Sequence, residues 1–376
     1  MAGPRGGAER LPSPRLGLRL AGKIALDEIF FATELLLAPF VSAQDRERLA
    51  REIGAARALY ERRGFLADPA SFHQRPPPLR QVEIRRQSGR FAACQGLRFE
   101  SGYEPDPEEP GRERWLAQRA NRTACAWLLE HRGRPRPWVV CVPGYRMGHP
   151  IVDFTGFRAR WLHRALGLNV AIAVMPLHGP RRSGRRGGDG FLTGDFVDTI
   201  HAQAQAVWDV RRLIDWLRAD RAPAIGVQGV SLGGYTAALL TGLEPELDAV
   251  VVGVPATDFV GLLRSNATPM LMRGLARLGL PLDDIEAALR VVSPLALAPR
   301  VPRRRLFLFA GLADRLAPPD HAHELWQHWA QPRAVWYQGS HVSFVWEPEV
   351  KALIEEAFRE CGLLPEGRPI ARRGAR

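Results

Sequence analysis

The chain has 376 residues, a formal net charge of +12, 46% hydrophobic residues and 24% charged residues, proportions of a globular protein with room for one large core or two smaller ones. The charge does not mark a nucleic-acid binder: of 52 basic residues only Lys23 and Lys351 are lysines, and the arginines are scattered, with denser groups at 181–186, 303–305 and 368–376. No basic stripe interleaved with aromatics, helix-turn-helix, zinc-finger or RNP-like signature occurs.

Residues 1–20 read as a flexible basic tail without an apolar h-region of the secretory kind. The next stretch, "IALDEIFFATELLLAPF" (24–40), carries Asp27, Glu28 and Glu34, which a membrane-spanning helix rarely tolerates. A cytoplasmic protein without a transmembrane segment is therefore expected. Apolar residues at three- and four-residue spacing predict helices over 24–38 and 43–63, separated by Pro39. "HQRPPPLR" (73–80) is a proline-rich break. Residues 1–80 thus read as a basic tail and helical extension, and 81–376 as the main domain.

Beyond the break the rhythm changes. Short apolar runs lie near 97–103, 122–130, 137–142, 169–175, 224–229, 248–254, 305–310 and 333–338. From the third onward, helical segments at 154–166, 198–219, 233–243 and 320–330 separate them. Strand and helix in alternation predict an α/β fold, a mostly parallel sheet with helices on both faces. The first two runs are joined by the short charged "EPDPEEPGRER" (104–114), which suits an antiparallel pair. An interval of about fifty residues, 256–300, is long for a simple connection. Its apolar helical part, 259–280, forms either a cap over the sheet or ordinary crossover helices. Cys94, Cys125, Cys141 and Cys361 form no Cys-x-x-Cys pair; Cys125 and Cys141 sit in apolar runs as small hydrophobes, and a reducing compartment fits.

The chemistry centres on "GVQGVSLGGYT" (226–236). Ser231 follows an apolar run ending in glycine and precedes a helical segment, the strand–turn–helix context of a nucleophile elbow. Small residues two before and two after, Gly229 and Gly233, let strand and helix approach. The turn raises the hydroxyl above the sheet and aims the Leu232 N–H at an oxyanion, aided by the helix N-terminus. A P-loop is excluded, since its lysine is missing. A serine needs a base and an orienting acid, and Asp314 and His341 follow the next-to-last and last apolar runs. The order Ser231, Asp314, His341 is that of a hydrolase triad. Asp258, after the preceding run, is the rival acid; Asp320 reads as a helix cap. His321 and His323, two apart on a helix, make a poor metal pair. His149 and His178 lie in loops after strands, where either could line a pocket mouth or sit on the surface.

With "GVSLGG", "GLADRLAPPDHAHEL" and "GSH" as its nucleophile, acid and base segments, the chain from about 97 to 362 resembles the α/β-hydrolase superfamily. "VMPLHGPRRSG" (174–184) is similar to loops of its dienelactone-hydrolase and acetyl-esterase-like branches. The resemblance implies an eight-stranded, mostly parallel sheet and serine-dependent ester hydrolysis. It also implies the backbone N–H of Tyr145, in Pro143-Gly144-Tyr145, as second oxyanion donor, although the family's usual histidine before that glycine is replaced by proline. The expected partner is a small ester or acyl substrate, with no metal or organic cofactor. Arginines 181–186 either meet an anionic substrate group or form a solvated loop. Amidase, peptidase, thioesterase or acyltransferase chemistry on the same scaffold, or a non-catalytic binding role, stays open at this stage.

Overall fold

The computed structural model describes residues 11–15, 17–36, 43–88, 93–192, 195–220, 222–266 and 282–365. One sheet is built from β1 (Glu83–Ser88), β2 (Ala93–Glu100), β3 (Thr123–Leu129), β4 (Trp138–Val142), β5 (Asn169–Val174), β6 (Ile225–Val230), β7 (Ala249–Gly253), β8 (Leu306–Gly311) and β9 (Arg333–Tyr337). Their spatial order is β1-β2-β3-β5-β4-β6-β7-β8-β9. The first three pairings are antiparallel, and every pairing from β5–β4 to β8–β9 is parallel. Every residue of β4, β5, β6, β7 and β8 is buried, as a parallel sheet covered on both faces requires.

The helices are α1 (Leu18–Leu36), α2 (Ala43–Arg62), α3 (Arg112–Leu116), α4 (Pro150–Gly156), α5 (Phe196–Ala219), α6 (Leu232–Leu240), α7 (Phe259–Asn266), α8 (Leu282–Leu289), α9 (Pro319–His328) and α10 (Pro348–Glu360). Alternate strand residues face opposite layers. Val140 and Val142 join a core with Ile53 and Tyr60 of α2, Val210 of α5, Tyr235 of α6 and Ile285 of α8. Val139 and Cys141 join a second core with Phe154 of α4 and Leu353 and Phe358 of α10. Cys94, Cys125 and Cys141 are buried free thiols and Cys361 is a half-buried one.

Among the described residues the sheet has nine strands rather than the eight that the family resemblance implies. The additional one is β1, "EIRRQS"; it borders β2 alone, with Ile84 exposed. A charged edge strand needs no apolar face, so no alternation announces it. The first helix also departs from expectation, beginning at Leu18 rather than 24. Its approach is fixed rather than tail-like, because the Arg15 N–H donates to Gln338 Oε1 at 2.8 Å. The proline-rich break is pinned as well: Arg211 donates to the Gln74 carbonyl at 2.9 Å, and His73 Nε2 lies 2.9 Å from the Val291 carbonyl. Within 256–300, α8 buries Ile285, Ala288 and Leu289 in the core, as a crossover helix does. Residues 267–281, the greater part of the expected cap, lie outside the described residues. No helix among the described residues is long and apolar enough to cross a membrane.

Helix α2 is tied to the main domain through Tyr60, fully buried, whose hydroxyl donates to Glu109 Oε1 at 2.8 Å. Removing that donor leaves a buried carboxylate oxygen without it, a loss of about 1–3 kcal/mol. Tyr60→Phe is expected to lower the urea midpoint accordingly at unchanged slope; an unchanged midpoint would show that the extension is not coupled to the domain in this way.

Candidate active site

Parallel strands β6, β7, β8 and β9 end at one edge of the sheet, so the turns that follow them converge there, as ligand sites in open α/β sheets do. Ser231 occupies the turn after β6 with φ 55° and ψ −121°, a region that a non-glycine residue enters at a cost of about 1–3 kcal/mol. The surrounding contacts hold it there. The Ser231 N–H donates to the Gly253 carbonyl and its own carbonyl accepts from Tyr235 N–H, both at 2.9 Å. A Cβ on Gly229 would stand 2.2 Å from the Gly233 carbonyl oxygen, and one on Gly233 would stand 1.9 Å from that of Val142. Only glycine allows this crossing of β4, β6 and α6.

The structure brings two of the three expected side chains into contact. His341 lies in the turn after β9, and its Nδ1 is 2.7 Å from Asp314 Oδ2. Asp314 Oδ1 accepts the N–H groups of Leu316 and Ala317 at 2.9 and 2.8 Å, so the carboxylate is fixed at both oxygens. That hydrogen bond places the ring proton on Nδ1 and leaves Nε2 as an acceptor. Burial pulls the His341 pKa down, but the charge and hydrogen bond of Asp314, with Asp27 adding to them, leave it above the ordinary histidine value. Burial likewise pushes the Asp314 carboxyl up, against the opposing pull of His341 and the Ala317 N–H. Ser231 makes no hydrogen bond to His341 in this structure; such bonds tighten once substrate is bound.

Asp258 is placed elsewhere. Its Oδ1 accepts the Val260 N–H at 2.9 Å at the start of α7, and the carboxylate that bonds the His341 ring is that of Asp314. Asp320 sits in the first turn of α9 behind the cap position, held by Pro318; it favours the helix dipole but is not the cap. His321 is buried, with its carbonyl accepting from Thr257 Oγ1 at 3.0 Å, and His323 stacks on Trp326. Among the described residues no group of three or more His, Cys, Asp or Glu is placed to hold a metal ion.

On the other side of β6, the loop after β4 closes against the elbow: a Cβ on Gly144 would lie 3.2 Å from Ser231 Cβ. Leu232, one expected oxyanion donor, follows Ser231 directly as the first residue of α6, and Tyr145, the other, follows Gly144 in the loop that meets the elbow. Further along this loop the Gly148 N–H donates at 2.8 Å to buried Asp153, whose carboxyl burial raises to about 7 against the hydrogen bonds from Gly148 and Trp127. His178 is buried rather than at a surface, edge-on to Tyr145 and Phe191, while His149 is exposed at the start of α4. The arginine loop divides. Arg181 is buried and paired with Asp209 at 2.7 Å, which removes it from any role at a substrate, whereas Arg182 and Arg185 are exposed.

No family model matches the chain. It is 38% identical, over 98% of its length and 88% of theirs, to uncharacterized proteins of Mycobacterium tuberculosis from strain CDC 1551 / Oshkosh and strain ATCC 25618 / H37Rv. Among solved structures it resembles acetyl xylan esterase 1 from Thermoanaerobacterium sp. JW/SL YS485, with TM-score 0.52, 16% identity and coverage of 79% of this chain and 93% of that one. It also resembles the acetyl xylan esterase from Paenibacillus sp. R4, with TM-score 0.55, 16% identity and coverage of 80% and 93%. The chain has the α/β-hydrolase fold of these esterases, and it belongs to the family of the mycobacterial proteins. The α/β-hydrolase sheet accounts for the placement of Ser231, Asp314 and His341 at one edge; Asp27, which reaches the His341 turn from α1, has no signal in the motif order.

Since Asp314 raises the His341 pKa, Asp314→Asn is expected to lower it, and Asp258→Asn to leave it unchanged, in an NMR titration of the imidazoles. The same sign governs stability: the His341 contribution is complete below the unfolded value of about 6.5 and is lost as pH rises through the higher folded value. A shift on Asp258→Asn alone would reverse the acid assignment.

Proposed function

We propose that the protein is a serine hydrolase that cleaves carboxylic esters through an acyl-Ser231 intermediate. The observation that carries this reading is the buried Asp314–His341 hydrogen bond of 2.7 Å, at the same sheet edge as a serine in nucleophile-elbow geometry. His341 Nε2 takes the Ser231 hydroxyl proton as Oγ bonds to the ester carbonyl carbon. The carbonyl oxygen becomes an oxyanion facing the N–H groups of Leu232 and Tyr145 and the N-terminus of α6. Collapse breaks the bond to the alkoxy oxygen, which leaves as alcohol with the proton from His341. Water then gives its proton to His341 and attacks the acyl carbon, releasing the acid and restoring Ser231. Asp314 holds the Nδ1–H tautomer and stabilises the imidazolium formed in each half.

The acetyl xylan esterases that share the fold suggest short-chain acyl esters as the first substrates to test. The four free thiols support a reducing, cytoplasmic setting. On a panel of p-nitrophenyl esters of increasing acyl length, wild type is expected to turn over at least one, and Ser231→Ala to lose about a thousandfold or more. Because the base must be neutral, kcat/KM is expected to rise with pH through a midpoint above the ordinary histidine value of about 6.5. A Ser231→Ala variant as active as wild type would place the nucleophile elsewhere.

A further inference from the structure

Helix α1 presents leucine and isoleucine side chains to solvent at Leu18, Leu26 and Ile29, yet buries a carboxylate. Asp27 is fully buried. Its Oδ2 accepts the backbone N–H of His341 at 2.8 Å and lies 3.5 Å from that of Arg315, and its Oδ1 accepts the Val342 N–H at 3.2 Å. A buried carboxylate is costly unless hydrogen-bonded, and here the donors are backbone groups of the two turns that carry His341 and Asp314.

Neighbouring groups of the same segment close on the same turn. Lys23 Nζ donates to the Gln338 carbonyl at 2.9 Å and pairs with Glu347, and the Lys23 carbonyl accepts from Ser340 Oγ at 2.8 Å. The Arg15 N–H holds the Gln338 side chain. A helix that merely covered apolar surface would need none of these; the polar contacts of α1 with the main domain fall on residues 338–347 and on Arg315.

We propose that Asp27 is a positioning residue for His341: by accepting two successive N–H groups of its turn, the carboxylate fixes where the imidazole stands. The catalytic consequence rests on the serine-hydrolase reading; the contact itself does not. The ionisable groups around His341 are Asp314 and Arg315 after β8, Tyr337 and Glu347 on either side of the turn, and Lys23, Asp27 and Glu28 from α1. Asp27, Asp314 and Glu347 are buried carboxylates; Glu347 is paired with Lys23, and Asp27 and Asp314 are the two that favour the imidazolium. Glu28 is half exposed, at 48%, and faces Arg315, so solvent screens it.

The test uses the full chain with Asp27→Asn, which preserves shape while removing the charge and one acceptor, and Glu28→Gln, which removes the same charge from the neighbouring position. The His341 imidazole, assigned by its absence in His341→Gln, is titrated by NMR, and ester kinetics are recorded on the same samples. Asp27→Asn is expected to lower the His341 pKa and to reduce kcat about ten- to a hundredfold with little change in KM, as displacement of a reacting group does. Glu28→Gln is expected to leave both readings at wild-type values. An Asp27→Asn protein that loses thermal stability while its His341 titration and kcat match wild type would overturn the proposal. Were wild type inactive on every ester, the hydrolase reading would fail, and the titration would still decide whether Asp27 governs the His341 turn.

Discussion

Strands β4 and β6 and helix α6 meet so tightly at Ser231 that neither Gly229 nor Gly233 has space for a Cβ: the Gly233 carbonyl oxygen would lie 2.2 Å from the first and the Val142 carbonyl oxygen 1.9 Å from the second. That close approach is the constraint on which the site depends. It forces the serine to φ 55°, lifts its hydroxyl out of the sheet and starts α6 directly beneath it. The same crossing pulls the β4 loop against the elbow through Gly144. Backbone strain of this kind persists only where surrounding structure over-determines it. Here the hydrogen bonds of Ser231 to Gly253 and Tyr235 supply the restraint.

Electrostatics finish what the backbone begins. His341 is buried enough to lose solvation of its charged form, yet Asp314 reverses the sign of the shift. The imidazole is therefore more basic than a free histidine while its tautomer stays fixed. Asp314 is itself tethered by two N–H groups of its own loop, so the His341 imidazole inherits its orientation from the backbone after β8. Helix α1 adds a second anchor from outside the α/β layers, through Asp27 to the backbone of the His341 turn.

The features legible in the sequence are those that local rules govern. Glycines around Ser231, apolar runs of strand length and the order Ser231, Asp314, His341 each follow from the backbone or from chain connectivity. The antiparallel start β2–β3 agrees with the expectation, although the connection, 101–122, is longer than the charged stretch 104–114 and carries α3. Features set by distant contacts were not legible. Strand β1 is charged because only one of its edges pairs, and it resembles a loop on periodicity alone. Asp27 read simply as a charge unsuited to a membrane, since nothing near it in the chain foretells a partner 314 residues away. His178 looked like a loop residue, and becomes buried only because the loop folds back onto Tyr145 and Phe191. Arg181 belonged to an apparently solvated run until Asp209, from α5, met it in the interior.

In the proposed mechanism Ser231 carries the acyl group between two half-reactions. Rapid quenching of the protein during turnover of an activated ester, followed by peptide mass mapping, tests it most directly. An acyl mass increment is expected on the peptide containing Ser231 and is expected to be absent in Ser231→Ala. An increment on another residue, or turnover with Ser231 unmodified and no loss in the Ser231→Ala protein, would contradict it.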